Sequence, residues 1–417
     1  MLTTSWLYTK YFKTIVLPTI ALKRYFRIRR IRKDRKAKVV FVVSSLSMWK
    51  SLDLFFLLSK DEHFEPLLVL CPYAEYDEAQ KLESLKELVS FCTKHNISYI
   101  NIYEVTNPGL YFRNEIAPDI IFYPQQYHSL YRNGIDSEFY DDRLLSFIPY
   151  GFNTFEQGWA FRQRFNNIAW RLYYSTKADL ECAKKFSLNK GKNVRIVGNP
   201  SAGAFIKTHY PNPWKCIQRE RIIWSPHYSI KEGGFTHRSS FLDLHHFMLE
   251  LAIRYVEQIQ IAFKPHPRLL TELYNHPDWG KEKADAYYRQ WAEMPNTQLE
   301  TGEYIDLFMN SDAMIHDCGS FTAEYLYTQR PVMFYTHDRK AVEKQLNELG
   351  MAALDAHYIG GSADDIESFI KDVVIGENDP KVSARKAVYD KYLLPPNGRS
   401  TAENIYHDLL SSLGFEK

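Results

Sequence analysis

The sequence predicts an α/β protein of two domains, each a doubly wound, Rossmann-like parallel sheet. Three observations carry that prediction. Short apolar runs alternate with helix-length amphipathic segments along the chain, the pattern of parallel strands covered on both faces. At 417 residues, 45% of them hydrophobic, the chain exceeds what one core serves and has enough apolar mass for two. Between the two alternating series, Gly198 to Gln218 is rich in Pro, Gly and Asn and reads as a linker.

In order, Val39 to Val43 reads as a buried first strand, Leu52 to Leu58 as an apolar helix, and Leu67 to Leu70 as the second strand. Tyr76 to Lys94 is a charged amphipathic helix. Ile97 to Ile102, Ile120 to Tyr123, Leu145 to Ile148, Arg171 to Ser175 and Val194 to Val197 complete the first sheet. The second series has strands at Arg221 to His227, from Ile259, at Ala313 to Ile315 and at Pro331 to Tyr335. Helices near Ser383 to Lys391 and Thr401 to Leu410 are expected to cross back to the first domain. The expected division is a basic segment at 1–38, a first domain at 39–200, a second at 219–382, and returning helices at 383–417. Two such domains facing a cleft form the GT-B architecture. No G-x-G-x-x-G follows the first strand, so no dinucleotide site is expected there.

The chemistry gathers at strand ends of the second series. Trp224-Ser225-Pro226-His227 closes one strand. Lys264-Pro265-His266-Pro267-Arg268 closes the next. His316-Asp317-Cys318-Gly319-Ser320 forms a small-residue turn before the helix that opens at Phe321 and carries Glu324. Carboxyl ends of neighbouring parallel strands share one edge, where ligands bind. Free N–H groups at a helix start favour an anion there, so the cluster reads as a polyanion site. His245, His246, His276 and His357 lie in helical or loop contexts and read as surface or packing residues.

Net charge is only +2, so the bulk of the chain is no polyanion trap. The surplus sits at the N terminus, where Lys23 to Lys38 has Asp34 as its sole acid. Before it lie Trp6, Tyr8, Phe12, Ile15 and Leu17. No stretch reaches the ~20 apolar residues of a membrane span, and the charge follows the apolar residues, the reverse of a secretory signal. The expectation is an amphipathic helix on an anionic membrane surface, with those apolar side chains in the headgroup boundary and Arg27 to Lys38 over lipid. No RNA-binding module surrounds the run, so nucleic acid is not the expected partner. Five scattered cysteines (Cys71, Cys92, Cys182, Cys216, Cys318) lack metal-ligand spacing. They suggest a reducing cytoplasm, and no metal or cofactor is expected.

From about Ile148 onward the chain resembles the CDP-glycerol glycerophosphotransferases of teichoic-acid-type polymer synthesis. Their C-terminal domain has a Trp-x-Pro strand end, a His-Pro strand end, and a Ser-Asp-x-x-Ile-x-Asp-Tyr-Ser-Ser turn. An acidic helix residue, a Lys/Arg-Pro strand and an Asp-Gly-Arg-like segment follow. Here the counterparts are Trp224 to Pro226, His266-Pro267, Ser311 to Ser320, Glu324, Arg330-Pro331 and Asn397 to Ser400. The resemblance implies a GT-B transferase taking glycerol phosphate, or a related alditol phosphate, from CDP-glycerol to a lipid-linked or polysaccharide acceptor. Its setting would be the bacterial cytoplasm, peripheral on the inner face of the cell membrane. Trp224, Pro226, His227, Lys264, Arg268, His316, Gly319, Ser320, Phe321 and Glu324 would bind the donor, Glu324 at the ribose. His266, Asp317 and Tyr150 would be the catalytic set.

Two departures stand out. The family's Tyr-Ser-Ser is Cys318-Gly319-Ser320 here, which leaves one hydroxyl at the turn. The family's Trp-His-Gly-Thr segment, whose His is taken as the acceptor base, aligns with Pro149-Tyr150-Gly151 and the residues after it. Tyrosine, with a pKa near 10, is a poor base at neutral pH. A GT-B enzyme using a nucleotide-sugar, an epimerase-like isomerase, and a non-catalytic nucleotide-binding protein at the membrane stay open as alternatives.

Overall fold

The computed structural model describes residues 6–131, 134–215, 218–230 and 239–416. Residues 1–5 of the basic segment, Cys216 and Lys417 lie outside them. The chain divides into two compact units. Unit 1 comprises Met1–Gly151, Gln157–Ala202 and Pro395–Lys417; unit 2 comprises Phe152–Glu156 and Gly203–Leu394. Residues 383–394 therefore stay with unit 2, and five residues of the expected first domain belong to it as well.

Unit 1 is built on seven parallel strands: β1 (Ala37–Val43), β2 (Phe64–Leu70), β3 (Tyr99–Asn101), β4 (Ile120–Tyr123), β5 (Leu144–Phe147), β6 (Arg171–Tyr174) and β7 (Val194–Ile196). Their order is β3-β2-β1-β4-β5-β6-β7. Unit 2 has six: β8 (Glu220–Ser225), β9 (Ile259–Phe263), β10 (Thr297–Leu299), β11 (Ala313–His316), β12 (Val332–Tyr335) and β13 (Tyr358–Gly360), ordered β10-β9-β8-β11-β12-β13. Every neighbouring pair is parallel. Each sheet grows one way from its first strand and then reverses, which places a switch point between β1 and β4 and another between β8 and β11. The apolar runs in the sequence are these strands because both faces are buried: every residue of β4, β5, β9, β11 and β12 is shielded from solvent. β10 and β13 are three-residue edge strands that the pattern did not disclose.

Trp224 anchors the unit 2 core. It is fully buried and packs on Phe263 (ring centroids 5.0 Å), Trp291 (5.6 Å) and Phe241 (6.0 Å). In unit 1 the C-terminal helix Thr401–Leu413 lays Ile405, Leu409 and Leu413 into the core that β1 and β2 line. Ser400 and Glu403 cap its start reciprocally, and Gly414, at φ 71°, ends it. Asp408 on that helix receives Arg171 Nε (2.8 Å), Arg195 Nε (3.1 Å) and the Tyr173 hydroxyl (2.8 Å).

The basic N-terminal segment is helical from residue 6 to residue 34, with a wider turn at Phe12–Val16. Phe12, Ile20 and Ile31 are buried in unit 1. Much of its charge is committed to the body: Lys23 to Asp141 (2.8 Å), Arg27 to Asp119 (3.2 Å) and Asp142 (3.5 Å), and Arg30 to Asp119. Arg32 Nε donates to the Leu413 carbonyl (3.2 Å). This corrects two expectations, because Phe12 is a core residue and much of the Arg27 to Lys38 run pairs with carboxylates or the chain. The outward face instead carries Trp6, Tyr11, Ile15, Leu22, Tyr25 and Phe26, all exposed. Among the described residues no helix is long and apolar enough to cross a membrane.

Candidate active site

The sheet order of unit 2 makes β9, β8 and β11 immediate neighbours. The three chemistry-bearing strand ends therefore share one edge, with the switch point between two of them. Asp317, fully buried, ties them together. Its carboxylate accepts from the backbone N–H of His227, just past β8, and from that of Ser240, just before the helix Phe241–Arg254. It thus positions the turn. The His266 N–H donates to the Pro226 carbonyl (3.1 Å), and Ser225 Oγ donates to the Lys264 carbonyl (2.6 Å), so the β8 and β9 ends are locked in register.

His266 is partly buried beside cations. Burial first, then the charges of Arg268 and Lys264, push its pKa down to about 4. Its Nδ1 accepts the Arg268 N–H (3.1 Å), so the remaining proton sits on Nε2. At neutral pH His266 is therefore an uncharged Nε2–H donor, not a cation, until an anion arrives to raise its pKa. Tyr228 lies between the rings and the guanidinium, 4.5 Å from the His266 ring and 4.4 Å from the head of Arg268. Arg268 itself is exposed, with Glu272 at 3.4 Å. Lys264 turns inward: its Nζ donates to the Gly302 carbonyl (2.8 Å), and burial lowers its pKa against the pull of Glu300 and Glu303.

The turn after β11 is held from both sides. The Cys318 N–H donates to His316 Nδ1 (3.1 Å), which leaves the His316 proton on Nε2 to be donated to His357 Nε2 (3.1 Å). His357 in turn donates from Nδ1 to the Ala353 carbonyl (2.7 Å), and burial pushes its pKa down to about 3. Both rings are fully buried, so His316 braces the turn from behind and faces no solvent. From the other side Thr154 Oγ1 donates to the Gly319 carbonyl (3.1 Å). A Cβ on Gly319 would lie 2.4 Å from Phe155 Cε2, so only glycine fits under that ring. Among the described residues no group accepts the N–H of Gly319 or Ser320. Ser320 is exposed and makes no capping bond. The helix after it, Phe321–Glu324, is four residues long before it tightens at Tyr325–Thr328, so the local N–H groups outweigh the dipole. Phe321 packs on Phe308 (4.9 Å) and Tyr304 (5.2 Å), and Glu324, almost fully buried, accepts from the Tyr304 hydroxyl (2.7 Å).

Residues 223–411 match the family described as CDP-Glycerol:Poly(glycerophosphate) glycerophosphotransferase. The resemblance read from the strand-end motifs is thereby borne out over that stretch. No curated protein matches the chain. Solved structures similar in fold span nearly all of it. A variant of the wall teichoic acid polymerase TagF, soaked with CDPG, is 14% identical at a TM-score of 0.57, covering 97% of this chain and 97% of that one. A putative UDP-N-acetylglucosamine 2-epimerase from Listeria monocytogenes is 16% identical at 0.59, covering 92% and 98%. The S. aureus MnaA–UDP structure is 14% identical at 0.58, covering 91% and 98%. At these identities the likeness is one of fold, the GT-B-like pair of parallel-sheet domains.

Within residues 223–411, His227, Lys264, His266, Arg268 and the turn from His316 to Ser320 meet at one edge. Trp224 does not: its indole is core. Pro226 is buried and acts through its carbonyl. Tyr150 belongs to unit 1, where it is exposed just past β5. Four contributors escaped the sequence reading. Tyr228 and Tyr304 sit beside predicted residues and were findable as aromatic neighbours. Thr154 and Phe155 lie 165 and 164 positions before Gly319, and no local signal announces them. Among the described residues no group of three His, Cys, Asp or Glu side chains is placed to hold a metal.

Proposed function

We propose that the protein transfers glycerol phosphate, or a related alditol phosphate, from CDP-glycerol to a lipid-linked or polysaccharide acceptor and releases CMP. The acceptor hydroxyl attacks the β-phosphorus, the bond to the bridging oxygen breaks, and the electron pair leaves with CMP. The observation that carries this reading is the family match over residues 223–411, joined to an edge rich in donors and cations. In it the Nε2–H of His266, the N–H groups of Gly319 and Ser320, and the Ser320 hydroxyl receive phosphate oxygens. Arg268 and the inward Lys264 add positive potential, which is worth most where water is excluded. Asp317 holds the β8 turn, and Glu324, oriented by Tyr304, takes the ribose. Tyr150 stands at the position of the family's histidine, in unit 1. The setting is the inner face of a bacterial cell membrane.

The Tyr150 departure supports a second reading, in which the donor is a nucleotide-sugar or the chain binds nucleotide without turnover. One experiment separates them. The purified protein is incubated with a panel of CDP-alditols and nucleotide-sugars plus a lipid-linked acceptor, and nucleotide release is followed. Release of CMP from CDP-glycerol alone is expected. Turnover of a nucleotide-sugar, or tight binding of CDP with no turnover of any donor, overturns the first reading.

A further inference from the structure

The basic helix Leu17–Asp34 crosses the amino ends of the unit 1 strands, the edge opposite to Tyr150. Its inward face follows helical spacing through Ile20, Arg24, Arg27 and Ile31, of which the first and last are buried. Lys23 pairs with Asp141 and Arg27 with Asp119 and Asp142, acids that stand just before β4 and β5. Arg30 pairs with Asp119 and Asp34, while Arg113 and Arg143 both turn to Asp142. Arg24 differs. Its Nε and Nη2, the two atoms that point N–H groups to the same side of the guanidinium, are shut off from solvent with no acceptor among the described residues. In Arg221 the same two atoms show their ordinary use, holding both oxygens of Asp312 at 2.8 and 3.0 Å. The acid that acts on Arg24 is Asp141, already bound by Lys23. The cation that acts on it is Arg171, which opens β6 and gives its own donors to Asp408, Ser412 and the Trp170 carbonyl. Arg143, only 7% exposed, likewise has an unpartnered Nε among the described residues.

We infer that this amino-end edge of unit 1 is a binding site for a phosphate group, held by the paired N–H groups of Arg24 in the positive surroundings of Arg171 and Arg143. Buried N–H groups rarely go unpaired. An unpaired guanidinium costs far more than the Leu or Met that an inward helix face would otherwise carry. The planar fork of an arginine matches two oxygens of a carboxylate or a phosphate alike, and the charge at the edge decides between them. Lys23, Arg24, Arg27, Arg30, Arg113 and Arg143 share Asp34, Asp119, Asp141 and Asp142, which leaves two positive charges over. A phosphate group with a charge of about −1.5 to −2 at neutral pH balances them, and a carboxylate leaves the edge half compensated. Burial pushes the Arg24 pKa down to about 10 against the pull of Asp141, and Arg171 adds to the fall. Burial and the charge of Arg27 lower that of Arg143 as well. A bound anion offsets both costs. The Lys23–Asp141 pair is partly exposed on both sides and weakly held, so it yields to an incoming anion. Once bound, the phosphate pins the helix to the strands it crosses. The inference is independent of the transferase reading, since it concerns the edge away from Tyr150 and needs no donor.

The test titrates the full-length protein with inorganic phosphate, followed by calorimetry and melting curves, with chloride at matched ionic strength as the blank. CDP is present throughout to keep phosphate off the donor edge of unit 2, and the Arg24 variants assign the signal to this edge however CDP behaves. Wild type is expected to bind phosphate and to melt higher in it than in chloride. Arg24→Met should weaken binding at least about tenfold and lose the phosphate-dependent rise. In chloride it should melt no lower than wild type, because an unpaired buried charge has gone. Arg24→Lys keeps the charge without the fork and should recover only part of the affinity. Vesicles containing phosphatidic acid, compared with neutral ones, locate the source of the phosphate. Flotation that depends on Arg24 assigns the site to a lipid headgroup; binding of free phosphate with flotation indifferent to Arg24 assigns it to a soluble phosphate. Neither effect, or equal phosphate binding by wild type and Arg24→Met, overturns the inference. An Arg24→Met that melts well below wild type in chloride overturns it too, since the guanidinium would then be a structural group.

Discussion

The buried His316–His357 pair makes unit 2 sensitive to acid, by an amount that follows from its hydrogen bonds. The pair shares one proton between the facing Nε2 atoms, 3.1 Å apart. Nδ1 of His316 is spent on the Cys318 N–H, and Nδ1 of His357 on the Ala353 carbonyl. A further proton would set two N–H groups against each other in a fully buried site. Folding thus depresses the His357 pKa from 6.5 to about 3. As pH falls the unfolded chain takes up the proton first, so the contribution is intact above about 6.5 and is lost through the window down to about 3. At about pH 5 the unfolded ring is some thirtyfold more protonated than unprotonated while the native ring is neutral, a loss of about 2 kcal/mol relative to pH 7.5. Urea unfolding of wild type and His357→Gln at both pH values measures it, since titrations outside the His316–His357 pair are shared. Wild type should lose about 2 kcal/mol more than the variant. Equal losses, or an NMR titration placing His357 near 6.5, would refute the reasoning.

His266→Ala removes a phosphate donor and should slow transfer roughly 30- to 1000-fold, equivalent to about 2–4 kcal/mol; near-normal rates on CDP-glycerol would remove it from the site. Gly319→Ala should cost about 1–3 kcal/mol, because its Cβ collides with Phe155. Adding Phe155→Leu should restore part of the melting temperature, and a single variant that melts like wild type would discount the crowding. Glu324→Gln should weaken CDP binding more than pyrophosphate binding in calorimetry; equal losses would detach Glu324 from the ribose. Leu22→Ser, Tyr25→Ser and Phe26→Ser together should abolish flotation with anionic liposomes while leaving CDP affinity intact. Equal flotation with wild type would dismiss the outward helix face as a membrane contact. These side chains are a cleaner target than the whole segment, whose deletion would strip Phe12, Ile20 and Ile31 from the core.

Most strands were legible because burial on both faces demands continuous apolar runs: Ile120 to Tyr123 was read to the residue, and the others within a few positions. β10 and β13 were not, since Thr-Gln-Leu and Tyr-Ile-Gly carry no continuous apolar run. The donor edge was legible because parallel strands force their polar termini to one side. What each side chain does there was not. Trp224 reads like a site residue from its motif yet faces inward, and Lys264 spends its ammonium on the Gly302 carbonyl. The sign of the N-terminal charge was plain, but its destination depended on Asp119, Asp141 and Asp142, acids scattered more than eighty positions downstream.

The chain passes between the units four times, at 151–152, 156–157, 202–203 and 394–395, so neither unit is a continuous piece of polypeptide. During synthesis the β1 and β2 side of unit 1 waits, partly uncovered, for Ile405, Leu409, Leu413 and Phe415, which follow the whole of unit 2 in the chain. Contacts that span nearly four hundred residues, such as Arg32 to Leu413, close large loops late and slow folding. A nascent chain stalled near residue 395 would hold a finished unit 2 sequence tethered to an open, apolar half-domain, the kind of species that aggregates or recruits chaperones. Cutting at the obvious linker after residue 200 would harm both products, taking Phe152–Glu156 from one and the closing helix from the other. Expression of either half requires a circularly rearranged gene and not a simple truncation.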